Sequence, residues 1–151
     1  MTATPRKQRR TKAASRLAVQ RAVRAAPAAR LLLRWARAAA GATLRATLRV
    51  VGRAESRRLN HVFRKRDYAT NVMAFSYDRT RGDIVLCHPV IVREAREQGK
   101  PLPAHYAHVV VHGLLHLRGF NHARRADAAA MERREVRILR TLGFADPYTV
   151  K

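Results

Sequence analysis

The sequence predicts a single α+β domain, on three observations. Pro103 to Leu117 is a long, apolar, almost uncharged segment of helical length. Val72 to Tyr77 and Asp83 to Cys87 are short β-prone runs on either side of a polar turn, the pattern of a hairpin. Amphipathic helical stretches lie before and after both. At 151 residues the chain suits one core, burying roughly 68–70% of the surface its unfolded form would expose.

In chain order, residues 1 to 14 are basic and lack apolar periodicity, which predicts a disordered arm; the domain is expected over residues 15 to 151. Arg16 to Val23 alternates weakly, as a strand does, with helix as the competing reading. After Pro27, Leu31, Leu32, Trp35 and Ala39 recur at helical spacing and Gly41 follows as a stop, with Trp35 expected in the core. Residues 43 to 51 read as a strand half-buried in a sheet, and 53 to 60 as a short helix. Pro89 to Gln98 forms a helix ended by Gly99, and Pro103 to Leu117 the central one. Ala126 to Leu142 forms the last helix, with Ala130, Met131, Val136, Leu139 and Leu142 inward and Glu132 and Glu135 paired with neighbouring arginines.

Charge narrows the function. Lysine and arginine number 32, of which 27 are arginine, against 10 acids, for a net +22. Residues 1 to 54 hold 14 of the basic residues and no acid. That excess, in the side chain best shaped for phosphate, points to a polyanionic partner. Cys87 is the only cysteine, which excludes an intrachain disulfide and fits a reducing cytoplasm. No apolar run reaches the 18 residues of a membrane span, and no signal-peptide core follows Met1, although an Arg-rich, acid-free amino terminus also has the composition of a transit peptide.

The chemistry concentrates in His112-Gly113-Leu114-Leu115-His116-Leu117-Arg118-Gly119-Phe120-Asn121-His122. On a helix, residues four apart share a face, so His112 and His116 aim two imidazoles at one point. Gly119 can take the left-handed conformation that ends a helix and returns His122 to the same point. Three imidazoles with a fourth position open are the ligand set of catalytic zinc, at about 2.0–2.1 Å per nitrogen, although nickel and copper accept the same ligands. Metzincin proteases share this spacing but carry a glutamate after the first histidine as general base. Here that position is Gly113, which leaves hydrolysis by a metal-acidified water open but removes the peptidase's proton acceptor. His108, one turn upstream, is expected in the core or as a partner that orients a ligand imidazole.

HGLLHLRGFNH resembles the H-G-x-L-H-L-x-G-[YF]-D-H signature of the YbeY family of single-strand-specific metallo-endoribonucleases, with Asn121 in place of the aspartate. The upstream segment LNHVFRKRDYATNVMAFSY is similar to that family's L-N-x-x-[YF]-R-x-x-D-x-x-T-[DN]-V-L-S-F. Leu59, Asn60, Arg64, Asp67, Thr70, Asn71, Val72 and Phe75 fall on matching positions, and Met73 and Ala74 depart. Gly82-Asp83-Ile84 also occurs in the family, with Asp83 expected in a turn or strand-start role rather than at the metal.

The resemblance implies one mixed β-sheet surrounded by helices, with the metal helix along its centre. It implies a single zinc ion on His112, His116 and His122, and single-stranded RNA as substrate. It further implies a cytoplasmic role in 3′ end maturation of 16S ribosomal RNA and ribosome quality control, on the small subunit, with no membrane or DNA partner. Arg64 becomes the expected RNA-binding and catalytic arginine, since its planar donor fork suits a phosphodiester whose charge grows in the transition state. His108 and Asn121 are the candidates for residues that steady the ligands. The alternatives are a metal-dependent protease and a non-catalytic ribosome-assembly module with a structural zinc.

Overall fold

A computed structural model describes residues 16–121 and 123–149. The expected basic arm and His122, the third expected ligand, therefore lie outside the described residues. The elements run β1 (Arg16–Arg21), α1 (Ala29–Ala40), β2 (Arg45–Val51), α2 (Arg53–Arg64), β3 (Val72–Ser76), β4 (Arg81–Cys87), α3 (His88–Gln98), α4 (Leu102–Leu117) and α5 (Arg125–Thr141). The four strands form one mixed sheet in the order β1-β2-β4-β3. β1 and β4 run parallel to β2, and β3 runs antiparallel to β4. The α+β class is as the sequence predicted, and within the stretch Arg16 to Val23 the first six residues, Arg16–Arg21, form a strand because their backbone pairs with β2.

Side chains alternate across the sheet, and the alternation assigns the layers. Leu48, Val50, Ile84 and Leu86 face the main core with α1 and α4, whereas Val51, Met73 and Val85 face the opposite side and pack with Leu59 of α2. α4 is buried on most of its circumference, with Tyr106, Val110, Leu114 and Leu115 in the main core, so it is the central helix. Trp35 is a core residue, with its ring 6.4 Å from that of Tyr106.

Two glycines set how closely α4 sits on the sheet. A Cβ at Gly113 would stand 3.0 Å from Ile84 Cδ1 and 3.2 Å from Val72 Cγ2, and one at Gly82 would stand 2.6 Å from Leu117 Cδ2. The absent side chain at position 113 thus serves packing, and a glutamate there would be driven into β3 and β4. Among the described residues, no helix is long and apolar enough to cross a membrane.

Candidate active-site cleft

A cleft of about 600 Å³ runs along one side of α4, between that helix, the segment from Asn60 to Ser76, and Tyr148. The α4 histidines line it as a stripe. Ring centroids lie 6.4 Å apart for His105 and His108, 6.4 Å for His108 and His112, and 4.7 Å for His112 and His116. The helical periodicity that predicted His112 and His116 side by side is therefore realised. Among the described residues no group of three histidine, cysteine or acidic side chains is placed to hold a metal ion, the third expected ligand, His122, lying outside them.

The unexpected member is Glu135. The sequence reading paired it with arginines on the surface of α5, but it is fully buried and faces α4. Its Oε2 accepts from His112 Nδ1 at 2.5 Å and its Oε1 from His108 Nε2 at 3.0 Å, while the Tyr148 hydroxyl donates to Oε1. Burial by itself would raise this carboxyl's pKa; the donors from His108, His112 and Tyr148 outweigh it and hold the value down to about 2. An ionised carboxylate can only accept, so His112 Nδ1 donates in this bond, which in a neutral imidazole leaves the lone pair on Nε2. An imidazole that binds a metal through Nε2 needs that tautomer. The donor set thus fits a divalent transition ion at His112 and His116.

The signal for Glu135 is present in the sequence: Met131, Glu135 and Leu139, at i, i+4 and i+8, form one buried stripe, with an acid in its middle. His108, expected in the core or beside a ligand, reaches His112 through the Glu135 carboxylate that the two share. Asn121 Oδ1 accepts the Ala123 backbone N–H at 3.0 Å, a local turn contact. Asp83 accepts from the Tyr77 hydroxyl at 2.5 Å, within the hairpin rather than in the cleft.

Arg64 lines the cleft that His112 and His116 also line. The expected helix over 53 to 60 continues to Arg64, and Lys65 caps it in the left-handed conformation, with φ of 56°. Asn60 Nδ2 donates to Tyr68 O at 2.8 Å, Ser56 Oγ to Thr70 O at 3.1 Å, and Arg57 pairs with Asp67 at 2.7 Å. These bonds fold the loop after α2 back along the helix. Arg64 Nη2 donates to Ala74 O at 2.9 Å, and its guanidinium lies 5.6 Å from the Phe75 ring centroid. Much of the upstream motif therefore fixes one arginine against edge strand β3.

A family model described as Endoribonuclease YbeY matches residues 8–143. The chain belongs to the YbeY endoribonuclease family. A YbeY endoribonuclease from Aromatoleum aromaticum is 53% identical over 146 residues, covering 90% of this chain and 95% of that protein. One from Methylibium petroleiphilum is 51% identical over 120 residues, covering 78% of this chain and 80% of that one. A solution structure of a Thermotoga maritima protein shares the fold, with a TM-score of 0.59 at 23% identity over 90% of this chain and 99% of that one. Both motifs that carried the resemblance lie inside the span matched to the YbeY family, and Arg64 of the first and His112 and His116 of the second line the cleft.

Proposed function

We propose that this chain is a metal-dependent endoribonuclease that cuts single-stranded RNA, with His112, His116 and His122 holding one zinc ion and Arg64 contacting the scissile phosphate. The observation that carries the reading is the buried Glu135 carboxylate on His112 Nδ1, at 2.5 Å, behind the cleft that His112 and Arg64 both line. An imidazole fixed in the ligating tautomer serves no purpose in a surface patch for RNA alone. A bound ion supplies Lewis acidity at the phosphodiester.

The chain's own residues do the remainder. Glu135 and the donors around it orient His112, and the main-chain bond from Arg64 to Ala74 holds the guanidinium where its other N–H groups can meet a phosphate oxygen. The +22 net charge draws the RNA in. The protease alternative is further weakened by the packing at Gly113, where no base can be placed. Membership of the YbeY family supports RNA as the substrate, and the resemblance extends the proposal to cytoplasmic maturation of the 16S RNA 3′ end and to ribosome quality control on the small subunit. Purified protein incubated with labelled single-stranded RNA, duplex RNA and casein, with and without chelator, tests the activity. Chelator-sensitive cleavage of the single-stranded RNA alone is expected, and cleavage of casein would overturn the reading.

A further inference from the structure

The cleft does not end at the paired histidines. Toward the start of α4 it continues to a second polar end lined by Tyr68, Asn71, Glu94, Gln98 and His105. Asn71 Nδ2 donates to Glu94 Oε1 at 3.0 Å and to Oε2 at 3.3 Å, and His105 Nε2 donates to Oε1 at 2.9 Å. The strong contacts thus fall on Oε1 and leave Oε2 with one weak partner, in a side chain still 25% exposed.

His105 does not cancel the charge of Glu94. Its ring is 5% exposed, and its Nδ1 is buried with no partner among the described residues. Burial lowers its pKa against the pull of Glu94, so the contact is a hydrogen bond from a neutral imidazole rather than an ion pair. A carboxylate held in place in a +22 protein repels phosphate. What it can take from RNA is a hydrogen-bond donor, a ribose 2′-hydroxyl or a base N–H, and of these only the base N–H carries sequence; unpaired bases offer one at their exocyclic amines, as cytosine N4 does to glutamate.

We propose that this end of the cleft is a nucleobase subsite, in which Glu94 Oε2 accepts from the exocyclic amine of an unpaired base that stacks on Tyr68. The proposal rests on the endoribonuclease reading and deepens it, because it makes cutting selective. Adenine, cytosine and guanine carry the amine. Uracil presents carbonyl oxygens on either side of its single N–H, and these face the carboxylate unfavourably. The reach is suitable: His105 and His112 are seven residues apart, roughly 10 Å along the helix at 1.5 Å per residue, a span that the sugar and base of one nucleotide bridge. Tyr68 is 51% exposed, which leaves its ring open for stacking.

The test uses single-stranded oligouridines that differ at one internal position, which is uridine or cytidine. The two rings match in size, so stacking is held constant. Wild type should cut beside the cytidine about tenfold faster than at the same place in the all-uridine RNA. In Glu94→Gln the ratio should fall toward one, since the amide can donate to uracil O4. Equal wild-type rates, or an unchanged ratio in a folded Glu94→Gln protein, would overturn the subsite; if that variant does not fold, the wild-type ratio decides alone. A wild type that cuts neither RNA counts against the endoribonuclease reading instead, and the equilibrium affinities of the two oligonucleotides then decide the subsite, with about tenfold tighter cytidine binding supporting it and equal affinities overturning it.

Discussion

The two ends of the cleft each set a glutamate against a histidine of α4, and they differ in how completely the carboxylate is used. Glu135 is fully buried and takes donors from His108, His112 and Tyr148. Glu94 is partly exposed and takes donors from Asn71 and His105, chiefly on one oxygen. A carboxylate surrounded by donors acts on its neighbours, fixing the tautomer and orientation of an imidazole. One that keeps an oxygen toward the cleft is placed to meet a ligand. The same pair of residue types thus does two jobs, and burial separates them.

The largest expected effect breaks the buried end. Glu135→Ala empties a fully buried position and takes the shared acceptor from His108, His112 and Tyr148, and should lower the unfolding free energy by about 2–3 kcal/mol, read from urea denaturation. Glu135→Gln keeps the shape but leaves one acceptor oxygen, and no charge, for the donors of His108, His112 and Tyr148, so zinc affinity measured by competition with a chelating dye should fall about 10–100-fold. Affinity equal to wild type would deny Glu135 its orienting role.

Next comes Arg64. Arg64→Lys keeps the charge and loses the planar fork, so single-turnover cleavage should slow by about 10²-fold while filter-retention binding of the same RNA, which many other arginines support, stays nearly constant. Parallel losses would make Arg64 a general phosphate contact and remove the distinction between a cutting end and a reading end. The smallest effect concerns the helix that spans both. Gly113→Ala must move Ile84 Cδ1 and Val72 Cγ2 by a few tenths of an ångström but gains about 1 kcal/mol of helix propensity, so its net cost in thermal or urea unfolding should be small, about 0.5–1 kcal/mol; a clear gain in stability would mean that α4 is not held close to the sheet there.

What the sequence made legible follows from which forces are local. Helical spacing placed His112 beside His116, and the Val72 to Cys87 hairpin followed from its turn residues. Trp35 and the apolar face of α1 were readable from periodicity. Arg16 to Arg21 stayed ambiguous because its strand character comes from pairing with β2, a long-range contact. The end of α2 was set too early, because Lys65 in a left-handed cap marks it and no glycine or proline does. Glu135 was misread because its neighbours Arg133, Arg134 and Arg137 offered obvious partners. Its place between Met131 and Leu139 was the signal that it points inward. Glu94 gave no signal: its role depends on Asn71 and His105 arriving from other parts of the chain.

The most direct test of the cutting end is the metal content of purified wild type against His116→Ala. Wild type should carry about one divalent ion per chain and the variant should lose it, since two imidazoles cannot hold it as three do. Comparable metal in the two proteins would contradict the assignment of His116 and, with it, the metal site at this end of the cleft.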